Sequence, residues 1–112
     1  MQLPKHAHPI EREILQELVK SIIDNECDIS IWDGEEYPIK RSTNITDILS
    51  AMSHTESDTV QIFDNGVSEK DSAYRGYVFI VYGNEPEYVV ADYSCDETIT
   101  KIAETITDKY EV

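Results

Sequence analysis

The residue types that most often carry out catalysis or bind metals are sparse in this chain of 112 residues. His6 and His8 form the closest histidine pair, without another His or Cys near enough in sequence to complete a metal site. Cys27 and Cys95 are interpreted as reduced structural thiols, although Cys95 lies where a helix N-terminus can lower a thiol pKa. No phosphate-binding glycine loop, GxSxG or HExxH motif is present. We therefore expect no catalytic residues, no metal and no cofactor.

The chemistry that the composition does offer is negative charge. The chain has 23 acidic and 9 basic side chains and a formal net charge of -14. Direct nucleic-acid binding is disfavoured, because that affinity depends on Lys and Arg displacing the counterions of the phosphates. An anionic membrane surface is disfavoured for the same reason. The expected partner is therefore a basic protein, and we expect a monomer or small homo-oligomer in the cytoplasm.

The acidic residues are unevenly distributed along the chain. Residues 1–23 hold three acids and three bases, so residues 24–112 carry the whole net charge. Clustered charge of one sign produces a field that steers an oppositely charged partner. Solubility alone, or adaptation to high salt, would also explain an acidic composition. The predicted partner-binding residues are Asp24, Glu26, Asp28, Trp32, Asp33, Glu35, Glu36, Tyr37, Glu85 and Glu87.

Two features within this set suggest how it would bind. If residues 24–28 are extended, Asp24, Glu26 and Asp28 form a row of carboxylates on one side, spaced about 6.6 Å apart. Several such rows would imitate the phosphates of DNA and occupy a basic groove. In addition, Trp32 and Tyr37 flank an acidic turn, where half-exposed aromatic rings are typical interface anchors.

Hydrophobic periodicity predicts three helices that would carry this surface. The first is expected over residues 9–25, where apolar residues recur at steps of three and four after a proline. A short second helix is expected over residues 45–52. The third is expected over residues 95–110, with Ser94 as the N-cap of a capping box.

Alternating apolar residues and turn signals predict five strands between these helices. The second strand contains Pro38 and is therefore expected to be an edge strand or an irregular one, whereas the strand over residues 74–82 is expected at the centre. The order α-β-β-α-β-β-β-α predicts a single α+β domain over residues 1–112, with helices mainly on one face of a mostly antiparallel sheet. Residues 1–8 are expected to form a flexible tail.

Three motifs in this order resemble a group of small uncharacterised proteins of bacteriophages and other mobile elements. The motifs are WDGEE at residues 32–36, KRST at residues 40–43 and VYGN at residues 81–84, followed by Asp92-Tyr93. The resemblance covers roughly residues 28–93 and carries no catalytic residue. It implies a mobile-element origin, where small acidic proteins often inhibit host defence nucleases.

Together, the charge and the resemblance predict a non-enzymatic inhibitor of the anti-CRISPR or anti-restriction kind, blocking a basic nucleic-acid-binding surface by DNA mimicry. Three alternatives stay open. The chain would be an immunity-type protein that neutralises one toxin nuclease, or a phage accessory protein whose acidity serves only solubility. The third is an enzyme whose acidic residues meet only in the folded chain.

Overall fold

The architecture is a five-stranded sheet covered by helices on one side. In the computed structural model, which describes residues 9–83 and 89–110, the elements in chain order are α1 (Pro9–Asp24), β1 (Cys27–Trp32), β2 (Ile39–Ser42), α2 (Ile45–Ala51), β3 (Ser57–Asp64), α3 (Lys70–Ala73), β4 (Tyr74–Val81), β5 (Val90–Cys95) and α4 (Glu97–Tyr110). The strand order is β2-β1-β3-β4-β5, and every neighbouring pair is antiparallel. The predicted α+β class and the five-stranded antiparallel sheet are confirmed.

The hydrophobic core lies between α1, α2, α4 and one face of the sheet. Leu18 and Ile22 of α1 are fully buried, as the predicted stripe of apolar residues requires. Ile29 and Ile31 of β1 are also fully buried. Because each buried side chain of this size contributes about 1.5–3 kcal/mol relative to exposure, this layer holds the helices against the sheet.

The opposite face of the sheet, which we call the open face, has no layer of longer helices over it in the described part of the chain. The alternation and register of β1, β3, β4 and β5 place aromatic and polar side chains on this face. They include Ser30, Trp32, Thr59, Gln61, Phe63, Tyr77, Phe79, Asp92 and Ser94.

Several details differ from the sequence-based expectations. The central strand is β3, whereas the predicted central segment, β4, lies next to it. The short helix α3 was not expected. Ser94 is part of β5, so the predicted capping box is wrong: Asp96 caps α4 instead, accepting the Ile99 N–H at 3.0 Å. β2 lies at an edge, as expected, but it begins at Ile39, so Pro38 precedes the strand and is not part of it. The predicted tail over residues 1–8 lies outside the described residues.

Candidate functional site

The turn between β1 and β2, residues 33–38, is held by its own hydrogen bonds. The Asp33 carboxylate accepts the backbone N–H groups of Glu35 and Glu36, each at 2.9 Å. The Asp33 N–H in turn donates to the Glu36 carbonyl at 3.1 Å. These backbone donors lower the pKa of Asp33, because they favour the ionised carboxylate. The turn therefore presents the exposed side chains of Glu35 and Glu36 from an ordered backbone.

Two aromatic rings join this turn to the open face. The ring centroids of Trp32 and Tyr37 are 4.8 Å apart with the planes tilted by 56°, a geometry that aromatic pairs favour. The Tyr37 hydroxyl donates to the Gln61 side chain of β3 at 3.2 Å. Both rings are half-buried, so each is ordered by the fold and still accessible to a partner.

A second loop brings another acid to the same place. The Thr55 hydroxyl contacts the carbonyl of Asp33 at 3.3 Å and that of Ser57 at 2.7 Å, which ties residues 54–57 to the turn. Glu56 in this loop is exposed. Residues 33–38 and 54–57 contain no Lys or Arg. We call these two loops and the strand ends beside them the turn end of the sheet.

Among the predicted acidic residues outside this turn end, Asp28 is neutralised within the fold. Asp28 is 4% exposed and forms an ion pair with Arg41, whose side chain also donates to the carbonyls of Asp64 and Val67 at 3.0 and 2.8 Å. Arg41 has a left-handed backbone conformation, φ 49°, next to a register shift between β1 and β2. This irregularity directs the guanidinium toward Asp28 instead of along the strand edge.

Arg75 forms further ion pairs at the opposite end of the sheet, where β1 begins at Cys27 and β3 ends at Asp64. We call this the arginine end. Arg75 pairs with Asp64, at 3.3 Å, and with Asp96. Its Nη1 lies 3.0 Å from the Cys27 sulfur, yet burial still raises the pKa of that thiol. Burial also raises the pKa of Cys95 to about 11, which accords with the interpretation as a structural thiol and not with the alternative of a pKa lowered by the helix N-terminus.

The predicted row of Asp24, Glu26 and Asp28 does not form. Asp24 ends α1 and pairs with Lys20 at 2.9 Å, and Glu26 has a left-handed φ of 61°. Because helix and turn replace the extended backbone, the three carboxylates do not follow one strand. Asp24 and Glu26 lie at the arginine end, about 17 Å from the turn end by the rise of β1.

Of the predicted surface, the structure therefore brings together one compact part. Trp32, Asp33, Glu35, Glu36 and Tyr37 form a single cluster at the turn end. Glu85 and Glu87 lie outside the described residues.

A buried polar pair near the turn end was missed by the sequence analysis. Asp58 accepts the Ser53 N–H at 2.7 Å and the Tyr82 hydroxyl, while its other oxygen, Oδ1, is buried without a partner among the described residues. Burial raises the pKa of Asp58 and, together with the Asp58 charge, that of Tyr82. The alternation of β3 was the available signal, since it places Asp58 on the same face as Val60 and Ile62.

The described residues contain no cluster of three or more side chains suited to holding a metal ion. Among the described helices, none is both long and apolar enough to cross a membrane. No protein-family model matches the chain, and comparison with curated proteins and with solved structures gave no significant match.

Proposed function

We propose that this protein is a non-enzymatic inhibitor that acts in the bacterial cytoplasm, where its turn end occupies a basic nucleic-acid-binding surface of a host defence complex. One observation carries the proposal. Glu35, Glu36 and Glu56 are exposed and make no ion pair with the described residues, beside the half-buried ring pair of Trp32 and Tyr37.

The recognition chemistry follows from this juxtaposition. Carboxylates accept hydrogen bonds from Arg and Lys as phosphates do, and the arginine fork pairs with either group. The adjacent rings add apolar contact. The Tyr37 ring already has the Lys40 ammonium 5.5 Å from its centroid, so the Trp32 ring is the surface left for an arriving guanidinium, worth roughly 0.5–2 kcal/mol. A basic groove would therefore gain both charge pairing and desolvated contact at the turn end.

The sequence supports the proposed class of inhibitor. The resemblance to proteins of phages and mobile elements supports a target in host defence, such as a CRISPR or restriction complex. An extended imitation of the DNA backbone is not part of the proposal, because the row of carboxylates over residues 24–28 does not form. The proposed imitation of phosphate groups is confined to the acidic and aromatic side chains of the turn end.

The test is competition between the protein and DNA. The immobilised chain is exposed to bacterial lysate at low salt, and each captured protein is then assayed for DNA binding with and without added chain. We expect a captured defence subunit to lose its DNA affinity as the chain is added. Capture of a single toxin nuclease would favour an immunity protein, and unaltered DNA binding by every captured protein would overturn the proposal.

A further inference from the structure

A cavity of about 290 Å³ opens on the open face, on the β2 side of the sheet. Its lining consists of hydroxyl, amide, cationic and aromatic side chains, namely Ser30, Tyr37, Lys40, Arg41, Gln61, Phe63 and Ser68. None of these carries a carboxylate, although 23 of the 112 residues are Asp or Glu. The charged side chains of the lining are therefore all positive, whereas the net charge of the chain is negative.

Several hydrogen-bond donors of the lining have no partner among the described residues. Arg41 uses Nε and Nη2 for Asp28 and for two backbone carbonyls, whereas its Nη1 has no partner among the described residues. The Oε1 atom of Gln61 accepts the Tyr37 hydroxyl, which leaves the two amide N–H donors. The Ser30 oxygen accepts the backbone N–H of Arg41 at 2.9 Å and keeps its own O–H to donate.

The charge of the cavity is positive. Asp28 offsets the charge of Arg41 because the two form an ion pair in which the Asp28 side chain is nearly buried. Lys40 then supplies the remaining positive charge: it is exposed, and its ammonium lies 5.5 Å from the centroid of the Tyr37 ring without an ion pair to the described residues. A bound anion would gain the charge of Lys40 and the free donors around it.

Flat groups give the cavity its shape. The half-buried ring of Tyr37 forms an apolar wall, and the Arg41 guanidinium lies 4.7 Å above the centroid of buried Phe63. Planar ligands stack on both aromatic rings and guanidinium groups. The volume lies just below the usual range for small-molecule sites, roughly 300–1,000 Å³, so the cavity suits a small ligand.

We propose that this cavity binds a small anion attached to a planar ring, chemistry that an aromatic carboxylic acid and a nucleoside monophosphate share. The anionic group pairs with Lys40 and the free donors of Arg41, Gln61 and Ser30, while the ring packs against Tyr37. This site shares the Tyr37 ring with the turn end of the proposed function, but its charged residues are Lys40 and Arg41, and a ligand in it requires no protein partner.

The test compares matched anionic and neutral probes. Benzoate is set against benzamide and adenosine monophosphate against adenosine, with inorganic phosphate alone as a further arm, and binding is followed by NMR shifts of the Gln61 side-chain amide. We expect at least one ring-bearing anion to bind about tenfold or more tightly than its neutral partner and than phosphate. Equal binding of anion and neutral partner, equal binding of phosphate, or no binding by either anion at millimolar concentration would overturn the proposal.

Variants locate the site for whichever anion binds. Lys40→Gln should weaken the affinity about tenfold. Gln61→Glu retains the shape and the acceptor for Tyr37 but adds negative charge, so it should weaken binding by more than tenfold. Lys101→Gln, an exposed lysine of α4, is the control and should bind as the parent protein does. Circular dichroism confirms folding of each variant, and unchanged affinity in both folded site variants would contradict the assignment.

Discussion

The two ends of the sheet carry similar numbers of acidic residues but use them differently. At the arginine end, Asp28 is paired with Arg41, while Asp64 and Asp96 are paired with Arg75. Glu26 is the exception there, since it is exposed without an ion pair to the described residues. At the turn end, Glu35, Glu36 and Glu56 are exposed without an ion pair to the described residues. Net charge alone does not locate an interaction surface, because part of it is neutralised within the fold.

Burial also separates the two ends. Asp28 is nearly buried, so its ion pair is shielded from solvent and leaves an uncompensated charge if Arg41 is removed. The carboxylates of Glu35 and Glu36 remain in water, where their contribution depends on salt and on an arriving partner. We therefore expect substitutions at the arginine end to change stability and those at the turn end to change binding.

The largest expected effect is at the arginine end. Arg41→Met should lower the free energy of unfolding by about 3 kcal/mol, because Asp28 would stay buried without its partner. Chemical denaturation measures this loss. Lys20→Met is the matched control, since it breaks the exposed pair with Asp24 and should cost about 0.5 kcal/mol or less. If both variants lose a similar free energy of unfolding, the buried pair with Asp28 stabilises the fold no more than the exposed pair with Asp24.

The next effect is on binding at the turn end. Reversing both charges, Glu35→Lys with Glu36→Lys, should weaken the affinity for a captured basic partner at least about tenfold. Glu13→Lys with Asp108→Lys changes the same net charge at exposed helix positions and should have much less effect. Surface plasmon resonance measures both. If the two double variants bind alike, only the net charge matters and the turn end is not the binding surface.

The salt dependence of partner binding tests whether the charge of the turn end steers the association. Exposed charges are screened over roughly 30 Å at 0.01 M salt and 10 Å at 0.1 M. The association rate of the parent protein should therefore fall steeply between these concentrations, with a smaller change in the dissociation rate. The same binding experiment measures both rates, and an association rate that does not depend on salt would contradict electrostatic steering by the turn end.

A smaller difference is expected in the pH dependence of stability. Burial raises the pKa of Asp58 in the folded protein, so the folded state binds this proton more tightly than the unfolded state. Stability from this group is therefore present at low pH and is lost as the pH rises from about 4 through the raised pKa. Asp58→Asn should lack this loss, as measured by denaturation across pH. Parallel profiles for the variant and the parent protein would show that Asp58 does not contribute.

The smallest effect is expected at Asp33, where the sign is reversed. Its pKa is lowered in the folded protein, so its contribution is present above the unfolded pKa and disappears as the pH falls through the lowered value. Asp33→Asn keeps an acceptor for the turn and should be slightly less stable than the parent protein at neutral pH. The difference in stability between the two proteins should disappear once the pH falls below the lowered pKa of Asp33. A difference that stays constant with pH would mean that the charge of Asp33 is irrelevant.

The elements that follow a regular hydrophobic period were predictable from the sequence. The stripe of α1 and the alternation of β1 predicted both elements. Pro38 predicted an edge strand, and β2 is at the edge, although Pro38 lies just before it and not within it. The cap of α4 was misassigned because β5 continues through Ser94 to Cys95, and local spacing cannot show how far a strand remains paired.

The site was predictable only where its residues are adjacent in sequence. Trp32 to Tyr37 form one turn, so their proximity followed from local turn signals. The pairing of Asp28 with Arg41 depends on a strand irregularity and a left-handed backbone, which the residue types alone do not reveal. Likewise, Glu56 reaches the turn only because β3 pairs with β1.

The hydrogen bonds of the Asp33 carboxylate have a consequence for the thermodynamics of association. Since the turn is ordered in the free protein, its backbone loses little conformational entropy when a partner arrives. That saving is what preorganisation contributes to affinity. The Trp32–Tyr37 ring contact restricts the adjoining side chains in the same way. Calorimetry of the complex should accordingly show a smaller entropic penalty than a disordered acidic peptide of the same residues would give.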